Sequence, residues 1–233
     1  NAAAQNFRML CVAVMPLLTD HGERGGIYLE RLQKLLQDFP SIMIAAVQET
    51  FSLKMGLKKF DHHLYESLIK TMNSTSSVSV DWTIFWRKLS DIPKEGSELR
   101  DAFYDNTTGE KNANSHDAFV FAAKEWTKWL IQWFDVLKKD NLDHSSSANL
   151  DLEAISRKMK RVNPKYVPRE WMLIKAYKDA AEHNDFNEIH TLQQLFDNNP
   201  YAEQSSKMEA KYYKKTDQEL RNLGGYSKMS CSS

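Results

Sequence analysis

The residues that could do chemistry are few and scattered. Cys11 and Cys231 are the only thiols among 233 residues. Cys231 stands third from the end, after the Gly224–Gly225 pair. A reachable thiol there can be oxidised or can pair with a distant thiol. A cysteine on a terminal tail can equally be idle, and the local sequence leaves both readings open. Cys11 falls on the apolar stripe of a helical segment and reads as a buried, inert thiol.

The remaining groups fit no catalytic or metal-binding pattern. His62 and His63 are adjacent, so on a helix they diverge by about 100° and cannot face one ion. His183 and His190, with Glu182 nearby, could share a face, but a catalytic zinc takes three protein ligands at tighter spacing. These histidines read as surface or cap residues. "GERGG" at 22–26 has three glycines, yet it follows no strand and lacks the Lys and Ser/Thr of a phosphate-binding loop, so it reads as a turn. There is no G-x-S-x-G elbow and no local Cys/His signature. "KMKRVNPKYVPREW" gathers Lys158, Lys160, Arg161, Lys165 and Arg169 around Tyr166 and Trp171. It could meet an acidic partner or a nucleic-acid backbone. With no wider basic stripe, a basic helix end that complements the helix dipole is the preferred reading.

The elements that must position these residues are helical. Phe7, Leu10/Cys11, Val14 and Leu17/Leu18 repeat at helical spacing, with Pro16 expected to bend or end the helix. "IYLERLQKLLQDF" is a second segment. "PSIMIAAVQETFSLKMG" opens on Pro40 and closes on Gly56, the asymmetry of a separate third helix. "DHHLYESLIKTM" follows. Asp81 is then expected to cap "WTIFWRKLS". Residues 91–115 are polar loop with a short helix at "SELRDAFY". The longest helix carries Trp126, Trp129 and Trp133 at i, i+3 and i+7, a core stripe. "NLDHSSSANLD" is the best internal linker, dividing a region at 1–147 from a segment at 148–233. Asp185 and Glu188 have capping-box spacing ahead of a Leu-rich helix. No convincing strand is legible. An all-α array of about eight to ten helices is expected.

Composition bounds the partners. Lys plus Arg equals Asp plus Glu at 31 each, so no global charge draws in nucleic acid or an anionic membrane. No run approaches the roughly 18 apolar residues of a membrane span. Two cysteines do not make a secreted disulfide scaffold. The helical pattern begins almost at once after Asn1, so the chain is expected to be the later part of a longer one.

"RVNPKYVPREWMLIKAYKDAAEHNDFNEIHTLQQLF" resembles the C-terminal segment of the selenoprotein O family. The final "CSS" resembles that family's end, where the third-from-last residue is cysteine or selenocysteine. "FSLKMGL", "WTIFWRKLS" and "MPLL" fall in the family's order. The resemblance implies a protein-kinase-like fold with altered catalytic residues. It further implies transfer of AMP from ATP to Ser, Thr or Tyr hydroxyls of protein substrates, with Mg²⁺ or Mn²⁺ on the phosphates. The family's ion-pairing Lys and Glu and metal-binding Asn and Asp lie before this region, so no catalytic, nucleotide or metal residue is carried over. The chain alone is expected to be inactive and to need the N-terminal lobes of the same polypeptide. By the resemblance, Cys231 is a redox latch whose partner lies upstream of Asn1. Animal and fungal members imply a mitochondrial location, the cytoplasm being the alternative. The rival expectation is a non-catalytic helical interaction module without a nucleotide-binding lobe.

Overall fold

The computed structural model describes residues 2–19, 23–105, 113–141, 150–217 and 220. The described elements run α1 (Ala2–Thr19), α2 (Glu23–Lys54), α3 (His62–Ser74), β1 (Val78–Val80), α4 (Trp82–Leu89), a 3-10 helix (Gly96–Ala102), β2 (Phe103–Asp105), α5 (Ala113–Asn141), α6 (Leu152–Val162), α7 (Glu170–His183), α8 (Asn187–Asn198) and α9 (Ser206–Tyr212). The chain divides into two compact units, Asn1–Phe51 and Ser52–Ser233.

In the first unit neither proline ends its helix at once, and the separate helix expected to open at Pro40 is part of α2. α1 runs through Pro16, and α2 runs unbroken through Pro40. A proline inside a helix removes one backbone donor and crowds the carbonyl four residues back. Here no glycine or asparagine stands just before Pro40 to turn the chain out, and the helix continues. "GERGG" is likewise not all turn, since residues 23–26 open α2. Phe7 stacks on Phe39 with ring centroids 4.2 Å apart, and Cys11 is buried as expected. Much of the apolar surface stays outside: Met9, Leu10 and Leu17 on α1, and Ile27, Ile42 and Ile44 on α2 are exposed.

The second unit is built on the tryptophan stripe. Trp126, Trp129 and Trp133 are all buried, as their spacing predicts. Phe85 of α4 packs on Trp126 at 4.9 Å, and Phe103 stacks on it at 5.9 Å. The Trp133 indole donates to the Met55 carbonyl at 2.9 Å. Truncating one such buried aromatic costs about 3–5 kcal/mol. A separate core gathers Tyr166, Met172, Ala176, Leu192, Leu195 and Tyr212 from the α6–α7 loop and α7–α9.

The all-helical expectation needs one correction. β1 and β2 pair antiparallel, Val78 with Asp105 and Val80 with Phe103. Three residues each are too few to show a period of two in sequence. The capping box at Asp185 and Glu188 also fails. Asp185 accepts from the Asn187 amide at 2.9 Å, while Glu188 is buried and accepts from Tyr212 Oη at 3.0 Å and Lys211 Nζ at 2.6 Å. A tertiary partner takes the carboxylate that a local cap would have used. Asp81 does cap α4, accepting from the Ile84 amide at 3.1 Å.

Gly96 shows why one position must lack a side chain. A Cβ there would lie 2.1 Å from the Ala123 carbonyl of α5. Its amide donates to Thr127 Oγ1 at 2.8 Å, so the 3-10 helix begins in contact with the α5 backbone. Gly96→Ala is therefore expected to destabilise the protein by about 3 kcal/mol or more. At Gly26, inside α2, a Cβ meets nothing within 4 Å. Gly26→Ala should stabilise by about 0.5–1 kcal/mol through helix propensity. Urea titrations of both variants check the pair, and a loss below 1 kcal/mol at Gly96 would contradict the packing described.

Candidate functional site

The loop after α6 is a densely hydrogen-bonded polar feature among the described residues of the second unit. Asn163 is fully buried. Its amide nitrogen donates to the Lys54 carbonyl at 3.0 Å and to Ser90 Oγ at 2.9 Å, joining the ends of α2 and α4. The Lys165 and Tyr166 amides both donate to the Pro200 carbonyl. Buried Arg87 donates from Nη1 to the Lys160 and Asn163 carbonyls at 3.1 and 3.2 Å. A cation at the carbonyl end of α6 is favoured by the helix dipole. The other Arg87 nitrogen reaches Glu203 at 2.5 Å, and Glu203 also holds Lys165.

The centre of this junction is Asp81. Arg169 donates to both of its oxygens, at 2.7 and 3.0 Å, in the fork geometry that suits a carboxylate. Tyr104 donates its hydroxyl to the same carboxylate at 2.9 Å. The C-terminal stretch closes over this point: Lys215 Nζ donates to the Phe103 carbonyl at 2.6 Å and the Thr216 amide to Tyr104 Oη at 3.3 Å.

Burial pushes the Asp81 carboxyl up, but the Arg169 fork, with the Ile84 amide and Tyr104, outweighs it and holds the group below the usual carboxylate value. Burial lowers Arg169, and Asp81 more than restores it, leaving the guanidinium above its usual value. Burial raises Tyr166 to about 12. A general acid or base needs a pKa near the working pH. Asp81 and Arg169 move away from neutrality, which marks a structural ion pair.

A second feature is an apolar cleft of about 580 Å³ between the α4 exit, α5 and α6. Its apolar lining is Ile92, Pro93, Leu130, Ile131, Phe134 and Leu152, and its charged lining is Asp91, Lys94, Asp135, Lys138 and Glu153. Ile92 has φ 56°, a left-handed conformation that glycine favours at a helix exit. Holding a β-branched residue there costs about 1–3 kcal/mol.

The residues singled out from sequence fall as follows. Cys231, the redox candidate, lies outside the described residues, as does most of the linker at 142–149. His62 and His63 are exposed in the first turn of α3, His62 lying 3.2 Å from Glu66. His183 and His190 are exposed on α7 and α8. Among the described residues, no group of three or more His, Cys, Asp or Glu is placed to hold a metal ion. The basic cluster is divided: Lys165 and Arg169 turn inward to carboxylates, and Lys160 pairs with Asp91 at 2.6 Å. What the sequence did not reveal is the pairing of Asp81 with Arg169, 88 residues apart. The cleft had one sequence signal, the apolar residues Leu130, Ile131 and Phe134 on α5 beside the tryptophan stripe.

Comparison with known proteins places the chain. A family model described as protein adenylyltransferase SelO matches residues 2–197. The chain belongs to the SelO family. A protein named protein nucleotidyltransferase YdiU from Flavobacterium johnsoniae is 30% identical over 240 residues, covering 98% of this chain and 39% of that protein. Proteins of the same name from Methylococcus capsulatus and Vibrio parahaemolyticus are 31% identical over 237 residues and 28% identical over 223. The chain spans about two fifths of the length of these curated relatives.

The junction makes two measurable demands. Arg169→Met strands a buried carboxylate and is expected to cost about 3–5 kcal/mol at pH 7, read from urea unfolding. Asp81 has a depressed folded-state pKa, so its contribution is complete above the ordinary value of 3.8 and is lost as the pH falls through the lower folded value. The stability gap between the natural protein and Asp81→Asn should therefore stay level from pH 7 to 5 and close below pH 3.8. A gap that survives full protonation would assign the effect to something other than charge.

Proposed function

We propose that this chain is the helical later part of an ATP-dependent protein adenylyltransferase. The observation that carries the reading is the family match over residues 2–197, joined by relatives named protein nucleotidyltransferases that align with 98% of the chain. The reaction joins a protein Ser, Thr or Tyr oxygen to the α-phosphorus of ATP. The bond to the β-phosphate oxygen breaks, pyrophosphate leaves with the electron pair, and the hydroxyl proton passes to a base. A nucleotide and a divalent cation, Mg²⁺ or Mn²⁺, belong to this chemistry. The described residues offer no ligand set for such an ion, so no step of the transfer is assigned to them.

The catalytic groups and a kinase-like nucleotide lobe are supplied by the rest of the polypeptide. The exposed apolar residues of α1 and α2 support this reading, because a face such as Met9, Leu10 and Leu17 is costly to leave in water. The second unit is a scaffold, with Asp81, Arg169, Arg87 and Lys165 engaged in its buried junction. Cys231 is the redox-sensitive group of the tail. Among the described residues no helix is long and apolar enough to cross a membrane. The relatives named above are bacterial and lend no support to a mitochondrial address.

With the intact polypeptide, label from the α-phosphate of ATP should become covalently bound to protein, while label from the γ-phosphate should not. The 233-residue chain alone should transfer neither. Transfer of γ-label would make the enzyme a phosphotransferase and overturn the reading. Activity measured with and without reductant should differ, and Cys231→Ser should abolish that difference. If α-label transfer persists but the variant responds to reductant unchanged, only the redox role fails.

A further inference from the structure

The cleft beside α5 has properties that the scaffold role leaves unused. At about 580 Å³ it lies in the size range of small-molecule sites, which are mostly apolar with a few placed polar groups. Its mouth is not closed by packing: Ile131 is 57% exposed and Leu152 37%. Ile92, one of the lining residues, is held in the left-handed region, although glycine would relieve the strain. Strain of this kind gathers at ligand clamps.

The charged lining selects among ligands. Asp91 is occupied by Lys160 at 2.6 Å, and Glu153 by Arg157 at 2.6 Å. Lys94 and Lys138 have no carboxylate partner among the described residues, Lys138 lying 4.4 Å over the Phe134 ring. Asp135 is the remaining carboxylate of the lining. Two unmatched ammonium groups against one unmatched carboxylate leave a surplus positive charge beside an apolar wall. The geometry points to this cleft as a binding site for an apolar molecule bearing a carboxylate, an acyl or aryl acid. The apolar body lies against Leu130, Phe134 and Leu152, and the carboxylate faces Lys94 and Lys138.

The test is calorimetric titration of the intact protein with decanoate and, separately, decylammonium. Decanoate should bind saturably below its micelle threshold and raise the thermal midpoint. Ile131→Glu alters an exposed residue at the mouth and should weaken decanoate at least about tenfold, because a second charge is forced against the apolar body. Replacing Lys94 and Lys138 together by Glu should weaken decanoate about fivefold and favour decylammonium. Ile92→Gly separates a ligand role from a packing role: binding should fall while the thermal midpoint holds or rises. Three results would overturn the assignment. Decylammonium could bind as tightly as decanoate, no saturable binding could appear, or Ile131→Glu could leave decanoate unaffected, placing it on another apolar surface such as α1.

Discussion

The second unit depends on one buried ion pair. Asp81 caps α4, receives the Arg169 fork and accepts the Tyr104 hydroxyl, so one carboxylate joins three parts of the chain. Its backbone amide also donates to the Ala102 carbonyl at 2.7 Å, tying it to the end of the 3-10 helix. A buried carboxylate without its guanidinium would be strongly unfavourable. The position of the 163–169 loop is therefore dictated as much by charge neutralisation as by the apolar core beneath Tyr166.

Around that pair the polar groups of the loop are almost fully committed. Asn163 bridges two helix ends, Arg87 holds the carbonyl terminus of α6, and Lys165 lies between Glu203 and Glu209. Chemistry at neutral pH needs groups with spare lone pairs or spare protons, and few remain here. This is the physical ground for the scaffold role proposed above. Among the described residues, the places left uncommitted lie away from this loop: the outward apolar residues of α1 and α2, and the cleft against α5 with its unpaired lysines.

How much of this was legible in the sequence depended on range. The tryptophan stripe, the Asp81 cap and the burial of Cys11 follow from spacing within one helix, and the structure places them accordingly. Pro40 misled because a proline weakens a helix without necessarily ending it. The Asp185–Glu188 box misled because Glu188 found Tyr212 and Lys211 across the fold. β1 and β2 are too short to carry a period. The Asp81–Arg169 pair and the cleft join residues from distant segments, which no local pattern encodes. Resemblance to a family pointed to the class of protein, whereas composition and periodicity alone reached only an all-helical domain.

The sequence separation of that ion pair sets an order of events during synthesis. Asp81 leaves the ribosome 88 residues ahead of Arg169. At 5–20 residues per second this is about 4–18 s, far longer than helices need to form. Throughout that interval the Asp81 carboxylate lacks the guanidinium that neutralises it, which disfavours early burial of the start of α4. The tryptophan helix, complete by residue 141, is made before the α6–α7 loop that carries Arg169. The junction around Asp81 is thus completed from its C-terminal side, after every tryptophan of the α5 stripe has been made.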